Sequence, residues 1–235
     1  MKNRNVFIFV LVLYSVISCL LSCQKYGTNN LRQSRLLTIG ILTSHRENAF
    51  YLPDVVDSLK FKNLHIFNAD NHHTSLRTLK TTGIVHNIYT GEYHKYLPFN
   101  TNTDAHKTRK YFGVNVVKSR KKWWRKQNMD FLKMARYLRE HDKASYYLLL
   151  EDDNIFQGDN VEMLIDTNEP VVHMGADAGA LLMSDAFLES FIGYVSVRTD
   201  AQPINWLLEL FIDSLGRQMV HKMYFKHVGT VSTKL

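Results

Sequence analysis

The chain has 235 residues and a mass of 27.4 kDa, with 45% hydrophobic and 22% charged residues. That composition fits one globular domain or slightly more and excludes wholesale disorder. Four prolines and eleven glycines exclude collagen-like or linker-dominated chains, and no internal repeat suggests a solenoid or propeller. The net charge is +7, but Lys2, Arg4, Lys25, Arg32 and Arg35 all fall in the acid-free residues 1–35, which leaves 24 basic against 22 acidic residues, a net +2, for the rest. So small a bias does not demand a polyanionic partner. The local exception is Lys118–Lys126, with six cations in nine residues.

The N-terminus opens with Lys2 and Arg4 and then an uncharged apolar run from Val6 to Leu21. A positive region followed by such a run is read by the secretory machinery as a retained anchor or a cleaved signal. Extended through Cys23 it reaches the short end of what spans a bilayer, and no small-residue cleavage site follows it clearly. The expected organisation is a membrane anchor over 1–23, a short polar stem over 24–35 and a domain over 36–235, with secretion after cleavage as the other reading. Both cysteines, Cys19 and Cys23, lie in the first segment, so the domain contains no disulfide and no thiolate metal site. It also lacks an Asn-x-Ser/Thr sequon.

In the domain, Leu36–Leu42 reads as a buried strand, followed by the polar loop Thr43–Asn48 and a helix over Tyr51–Leu59, with Pro53 tolerated in its first turn. Leu64–Phe67 and Gly83–Tyr89 are the next strands, and residues 91–117 read as loop. From about Lys121 to Glu140, Trp124, Asn128, Phe131, Leu132, Ala135 and Leu138 recur at helical spacing on one face. Tyr146–Leu150 is a continuous apolar run that ends in Glu151-Asp152-Asp153. A strand at Val171–Met174, helices at Asp185–Val195 and Ile204–Leu215, and a strand within Gln218–Val228 complete the pattern. Alternating strands and helices predict an α/β domain with a mostly parallel sheet.

Three acids at the end of an apolar strand are poorly explained by solubility. Strands of open α/β sheets aim their C-terminal ends at the ligand crevice, and adjacent carboxylates repel unless a cation relieves them. Mg²⁺ and Mn²⁺ favour oxygen ligands and are held by one or two carboxylates together with substrate phosphates. The tip is therefore a candidate metal–diphosphate site; the other reading is a solvated turn that caps the next helix.

Five stretches in one order then resemble the N-acetylglucosaminyltransferase IV family. They are Thr38-Ile-Gly-Ile-Leu-Thr43 with Arg46, Trp124-Arg-Lys-Gln-Asn-Met-Asp130 before Leu150-Glu-Asp-Asp153, Pro203-Ile-Asn-Trp-Leu-Leu-Glu209, and Phe225-Lys-His-Val-Gly229 with Ser232 and Leu235. The family carries T-I-G-I-P-T-V-x-R, W-R-x-K-Q-N-L-D-Y, L-E-D-D, P-I-D-W-L-L-D and F-Q-H-V-G-x-x-S-S-L. The resemblance implies a GT-A type, Rossmann-like domain flanked by helices on a single-pass Golgi membrane anchor. It implies inverting transfer of GlcNAc from UDP-GlcNAc to a mannose of an N-glycan in β-1,4 linkage, with Mn²⁺ or another divalent cation. By the same matches Asp153 would hold the metal with His227, although His227 also reads as a packed strand histidine. Thr43, Arg46, Arg125, Gln127, Asp130, Glu151 and Asp152 would bind the donor, and the 118–126 cations would supply field around its diphosphate. Gly175 and Gly179 would let backbone approach the sugar, or serve as turns.

The departures concern catalysis. Inversion needs a carboxylate to take the acceptor proton, and of the two acids in P-I-D-W-L-L-D this chain keeps only the second, as Glu209; the first is Asn205. Asp200 is another carboxylate nearby in sequence. Leu42 replaces the family's proline, and the interval from Asp153 to Pro203 is shorter. A non-catalytic member that binds nucleotide sugar or a partner enzyme is the alternative that Asn205 favours. Nucleic-acid binding through 118–126 is disfavoured by the secretory N-terminus.

Overall fold

A computed structural model of the chain describes residues 36–44, 50–70, 76, 83–88, 118–175 and 179–229. The anchor and stem, Arg46, the polar stretch 91–117, Ser232 and Leu235 lie outside the described residues. Among those described, no helix is long and apolar enough to cross a membrane.

The elements follow the chain as β1 (Leu37–Thr43), α1 (Leu52–Leu59), β2 (Leu64–Asn68), β3 (Ile84–Asn87), α2 (Lys118–Asp142), β4 (Tyr146–Glu151), β5 (Asn154–Phe156), a 3₁₀ turn (Val161–Ile165), β6 (Val171–Gly175), β7 (Ala180–Ser184), α3 (Asp185–Ser196), α4 (Ile204–Ser214) and β8 (Val220–His227). These strands form one eight-stranded sheet in the order β3-β2-β1-β4-β7-β6-β8-β5. β1 and β4 are apolar because they are interior strands covered on both faces. Successive residues of β4 feed opposite sides. Tyr147 and Leu149 join the core beneath α2, α3 and α4, whereas Tyr146, Leu148 and Leu150 join the one beneath α1 and the 3₁₀ turn.

Helix α1 begins with Pro53 in its first turn, buries Leu52, Val55 and Leu59, and stops where Lys60 turns left-handed at φ 49°. In α2 the stripe predicted from spacing, Trp124, Asn128, Phe131, Leu132, Ala135 and Leu138, is buried throughout. Helix α3 starts where Ser184 Oγ accepts the Phe187 N–H, a Ser N-cap that satisfies one of the first-turn donors.

The sheet is mixed, which corrects the mostly parallel expectation. Strands β3, β2, β1 and β4 are parallel, as are β6 and β8, but β7 runs antiparallel to both β4 and β6, and β5 runs antiparallel to β8. The physical reason is the short β6–β7 connection, since only a crossover of a dozen or more residues returns a strand in parallel. β7 escapes a reading of the sequence because its apolar run passes straight into the cap of α3.

At the end of the sheet where β2 begins, a histidine cluster sits between two strands and α2. His65 Nδ1 and His86 Nε2 lie 2.9 Å apart, His65 Nε2 lies 2.9 Å from Asp142 Oδ2, and the His86 ring packs on Tyr137 with centroids 4.3 Å apart. Burial holds both imidazoles below the ordinary histidine pKa. His141 adds to the effect on each, His65 adds to that on His86, and Asp142 opposes it. A histidine whose folded pKa is depressed binds its proton more readily in the unfolded chain, so stability rises with pH across the interval between the two values. The melting temperature is therefore expected to be level above about pH 6.5, the ordinary histidine value, and to fall as acid is added below it. His86→Asn, which no longer takes up a proton there, should shallow that fall; an equal slope in wild type and variant would remove His86 as its source.

Candidate functional site

From β1 the chain steps outward through β2 to β3, then returns through α2 to place β4 on the other side of β1. Where strand order reverses in this way, the two connections diverge and leave a crevice at the C-terminal strand ends. Here those ends are Thr43 and Glu151. Across them Thr43 Oγ1 donates to Asp152 Oδ2 at 2.5 Å, with both residues buried. A hydroxyl on an ionised carboxylate makes one of the shorter and stronger protein hydrogen bonds, so the floor of the crevice is latched across the two strands. Glu151, half-buried, fastens its backbone N–H to Gly179 O at 2.7 Å.

Asp153 follows the latch and is buried. Its Oδ1 accepts from Asn154 Nδ2 at 3.0 Å, its Oδ2 lies 3.1 Å from His227 Nε2, and its backbone carbonyl accepts from Val228 N at 2.9 Å. His227 arrives from 74 residues away because β5 pairs antiparallel with β8 in a register that sets Asn154 opposite His227. The histidine side chain is 31% exposed and the carboxylate 6%, so the pair faces solvent on the imidazole side. Gly229 closes over it: a Cβ there would strike the Asp153 carboxylate.

The first half of α2 reaches the same end of the sheet. Lys126 Nζ donates to Asp130 Oδ2 at 2.9 Å and to Ala69 O at 3.2 Å, and Ala69 N donates to Thr43 O at 2.9 Å. Asp130 is thus buried in an ion pair that ties α2 to the ends of β1 and β2. Arg125 and Gln127 are half-buried beside it. Asn128 holds the loop before α4, with Nδ2 donating to Thr199 O at 2.8 Å and Gln202 O at 2.7 Å. Trp124 and Trp206 pack with centroids 6.3 Å apart, which brings the start of α4 to the same half of α2. On α4, Asn205 is half-buried and Glu209, one turn on, is exposed. No hydrogen bond or ion pair among the described residues joins either to the acidic tip.

Thr43, Glu151, Asp152, Asp153 and His227 therefore converge, Asp130 is linked to Thr43 through Lys126 and Ala69, and Asn205 and Glu209 stand apart on α4. Gly175 and Gly179 flank the Asn154 amide. The residue that motif reading passed over is Asn154, whose only signal was its position directly after the acids.

The donor set suits a hard divalent ion. One carboxylate oxygen and one imidazole nitrogen are ligand types such an ion accepts, and Asp153 Oδ2 and His227 Nε2 lie 3.1 Å apart, within hydrogen-bond distance of each other. Among the described residues no group of three or more His, Cys, Asp or Glu side chains is arranged to hold a metal. The chain would supply two ligands, the number that leaves room for phosphate oxygens and water.

Comparison with models of protein families gives no match, and neither does comparison with curated protein sequences. Among solved structures, the chain is similar to a glycosyltransferase involved in glycosylation of the major capsid of PBCV-1, with 13% identity over 83% of this chain and 94% of that one and a TM-score of 0.42. It is similar to mouse xyloside xylosyltransferase 1, with 14% identity, coverage of 78% and 77%, and a TM-score of 0.41. A third is the galactosyltransferase LgtC in complex with donor and acceptor sugar analogues, with 14% identity, coverage of 81% and 87%, and a TM-score of 0.40. Likeness at this level carries no functional weight, and the site is read from its own chemistry.

Proposed function

We propose that the chain is an inverting, metal-dependent glycosyltransferase that moves GlcNAc from UDP-GlcNAc to a mannose of an N-glycan, acting in the Golgi lumen from an N-terminal membrane anchor. The observation that carries the reading is the pairing of Asp153 with His227 beside the Thr43–Asp152 latch at the strand-order reversal. The sugar, acceptor, β-1,4 linkage and compartment rest on the motif resemblance.

In this reading Asp153 and His227 hold the divalent ion, which when bound supplies Lewis acidity to the departing diphosphate. Thr43, Asp152 and Glu151 shape the floor under the donor. Arg125 and Gln127, half-buried on α2, are assigned to its approach and Asp130 to holding Lys126 there, with the basic start of α2 favouring an anionic ligand; Arg46 is assigned to the donor by the motif alone. The acceptor hydroxyl oxygen attacks the anomeric carbon as the bond to UDP breaks, and a carboxylate accepts the hydroxyl proton. Glu209 is assigned that proton, because Asn205 in the other family position is an amide without basicity.

The test is transfer by the full chain from UDP-GlcNAc, and from other UDP-sugars as controls, to mannose-terminated N-glycans with and without Mn²⁺. Mn²⁺-dependent transfer of GlcNAc is expected. Asn205 and the solvent-facing position of Glu209 favour a second reading, a non-catalytic binder of nucleotide sugar, and Mn²⁺-dependent binding without transfer would select it. Absence of any UDP-sugar binding would overturn both.

A further inference from the structure

We propose that Asn154 is a positioning residue that holds the Asp153 carboxylate toward His227; this rests on the reading of that pair as the cation site. Asn154 is fully buried, at 0% exposure. Its Nδ2 donates to Asp153 Oδ1 at 3.0 Å, while its own Oδ1 is buried with no hydrogen-bond partner among the described residues. Native interiors seldom leave a side-chain acceptor in that state, because the water it loses is not replaced. An apolar side chain of the same size would avoid that cost but would take this donor from the buried Asp153 carboxylate, so what the amide serves is the carboxylate.

The surroundings are fitted to the amide. Asn154 opens β5 opposite His227, so its backbone is fixed by the same pairing that delivers the histidine. Gly179, before β7, leaves the space that its Nδ2 occupies, since a Cβ there would collide with that nitrogen. Gly175 sits at ordinary contact distance, 3.6 Å from Asn154 Oδ1. With Asn154 on Oδ1 and His227 at Oδ2, the plane of the Asp153 carboxylate is set from both sides. Outer-sphere partners of this kind orient a ligand, and losing one costs about 10–100-fold in metal affinity.

Asn154→Leu, close in volume, removes both the donor and the orphaned oxygen. In the full chain with saturating UDP, Mn²⁺ affinity measured by electron paramagnetic resonance is expected to fall about 10–100-fold. The metal-free melting temperature moves by the balance of two effects, relief of the orphaned oxygen and loss of this donor from the buried Asp153 Oδ1, so the affinity is the deciding readout. A merely structural asparagine would change the melting temperature and leave the affinity unchanged, and that result overturns the proposal. Asn154→Ala, which does not require a leucine to fit, should lose affinity likewise. Gly179→Ala should reproduce the loss in the wild-type background and add little in Asn154→Ala, because contacting residues couple; full additivity would count against the proposal. Wild-type affinity in folded Asn154 variants overturns this inference alone. A wild-type chain that binds no Mn²⁺ overturns the cation reading, and this inference with it.

Discussion

In the Asp153→Asn variant, Mn²⁺-dependent UDP-GlcNAc binding is expected to fall by more than the roughly 100-fold that marks the upper end for an outer-sphere loss, and transfer to fall with it. Asparagine is nearly isosteric. Its carbonyl can still accept from Asn154 Nδ2, which sits 3.0 Å from Oδ1 in the native site, and its amide can donate to an unprotonated His227 Nε2, which lies 3.1 Å from Oδ2. The backbone bond from Val228 N to the residue 153 carbonyl is untouched. The native melting temperature should therefore change little, so lost binding is read as a lost ligand and not as a lost fold. What disappears is the negative charge, and a hard divalent ion has weak affinity for a neutral amide beside one imidazole. Metal titration with UDP present, alongside thermal melting without metal, checks both halves. Unchanged Mn²⁺ dependence in the folded variant would remove Asp153 from the metal and return the acidic tip to a structural turn.

How much of this site the sequence carries depends on the range of each contact. β1, β4 and α2 are legible because their periodicity is local: Tyr146–Leu150 is apolar without interruption, and Trp124 to Leu138 recur at helical spacing. The acids of the tip are legible because their mutual repulsion is written in adjacent positions. The Thr43–Asp152 latch, 109 residues in span, is not, since it needs β1 and β4 to be neighbours, and that follows only from the return through α2. His227 was reached by motif, yet what brings it to Asp153 is β5, whose three residues, Asn154-Ile-Phe156, are too short to show alternation. The orientation of β7 is hidden for a related reason, because orientation lies in the length of a turn and not in the run itself. The His65–His86–Asp142 chain joins β2, β3 and the end of α2, and no one segment of sequence announces it.

Gly229→Ala is the sharpest test of whether Asp153 and His227 act together. The added Cβ would strike the Asp153 carboxylate and lie 3.0 Å from His227 Nε2. Gly229 is not in the positive-φ region, where L side chains are strained, so the effect is steric and falls on the two proposed ligands. Neither can yield cheaply: the carboxylate is held by Asn154 and the histidine is the last residue of β8. Overpacking of this kind costs about 1–3 kcal/mol, which expressed as a loss of metal affinity is roughly 5- to 150-fold. Gly193 on α3 provides the control, because nothing lies within 4 Å of a Cβ placed there. Gly193→Ala should leave Mn²⁺ binding unchanged and gain about 0.5–1 kcal/mol of helix stability. If Gly229→Ala folds and binds Mn²⁺ as tightly as wild type, the separation of Asp153 and His227 does not set the affinity. The cation would then be held by Asp153 with the diphosphate, and His227 would be the packed strand histidine of the plainer reading. If affinity falls in Gly229→Ala and not in Gly193→Ala, the methyl has acted through the pair, and the glycine that ends the Phe225–Gly229 motif is explained by the carboxylate lying beneath it.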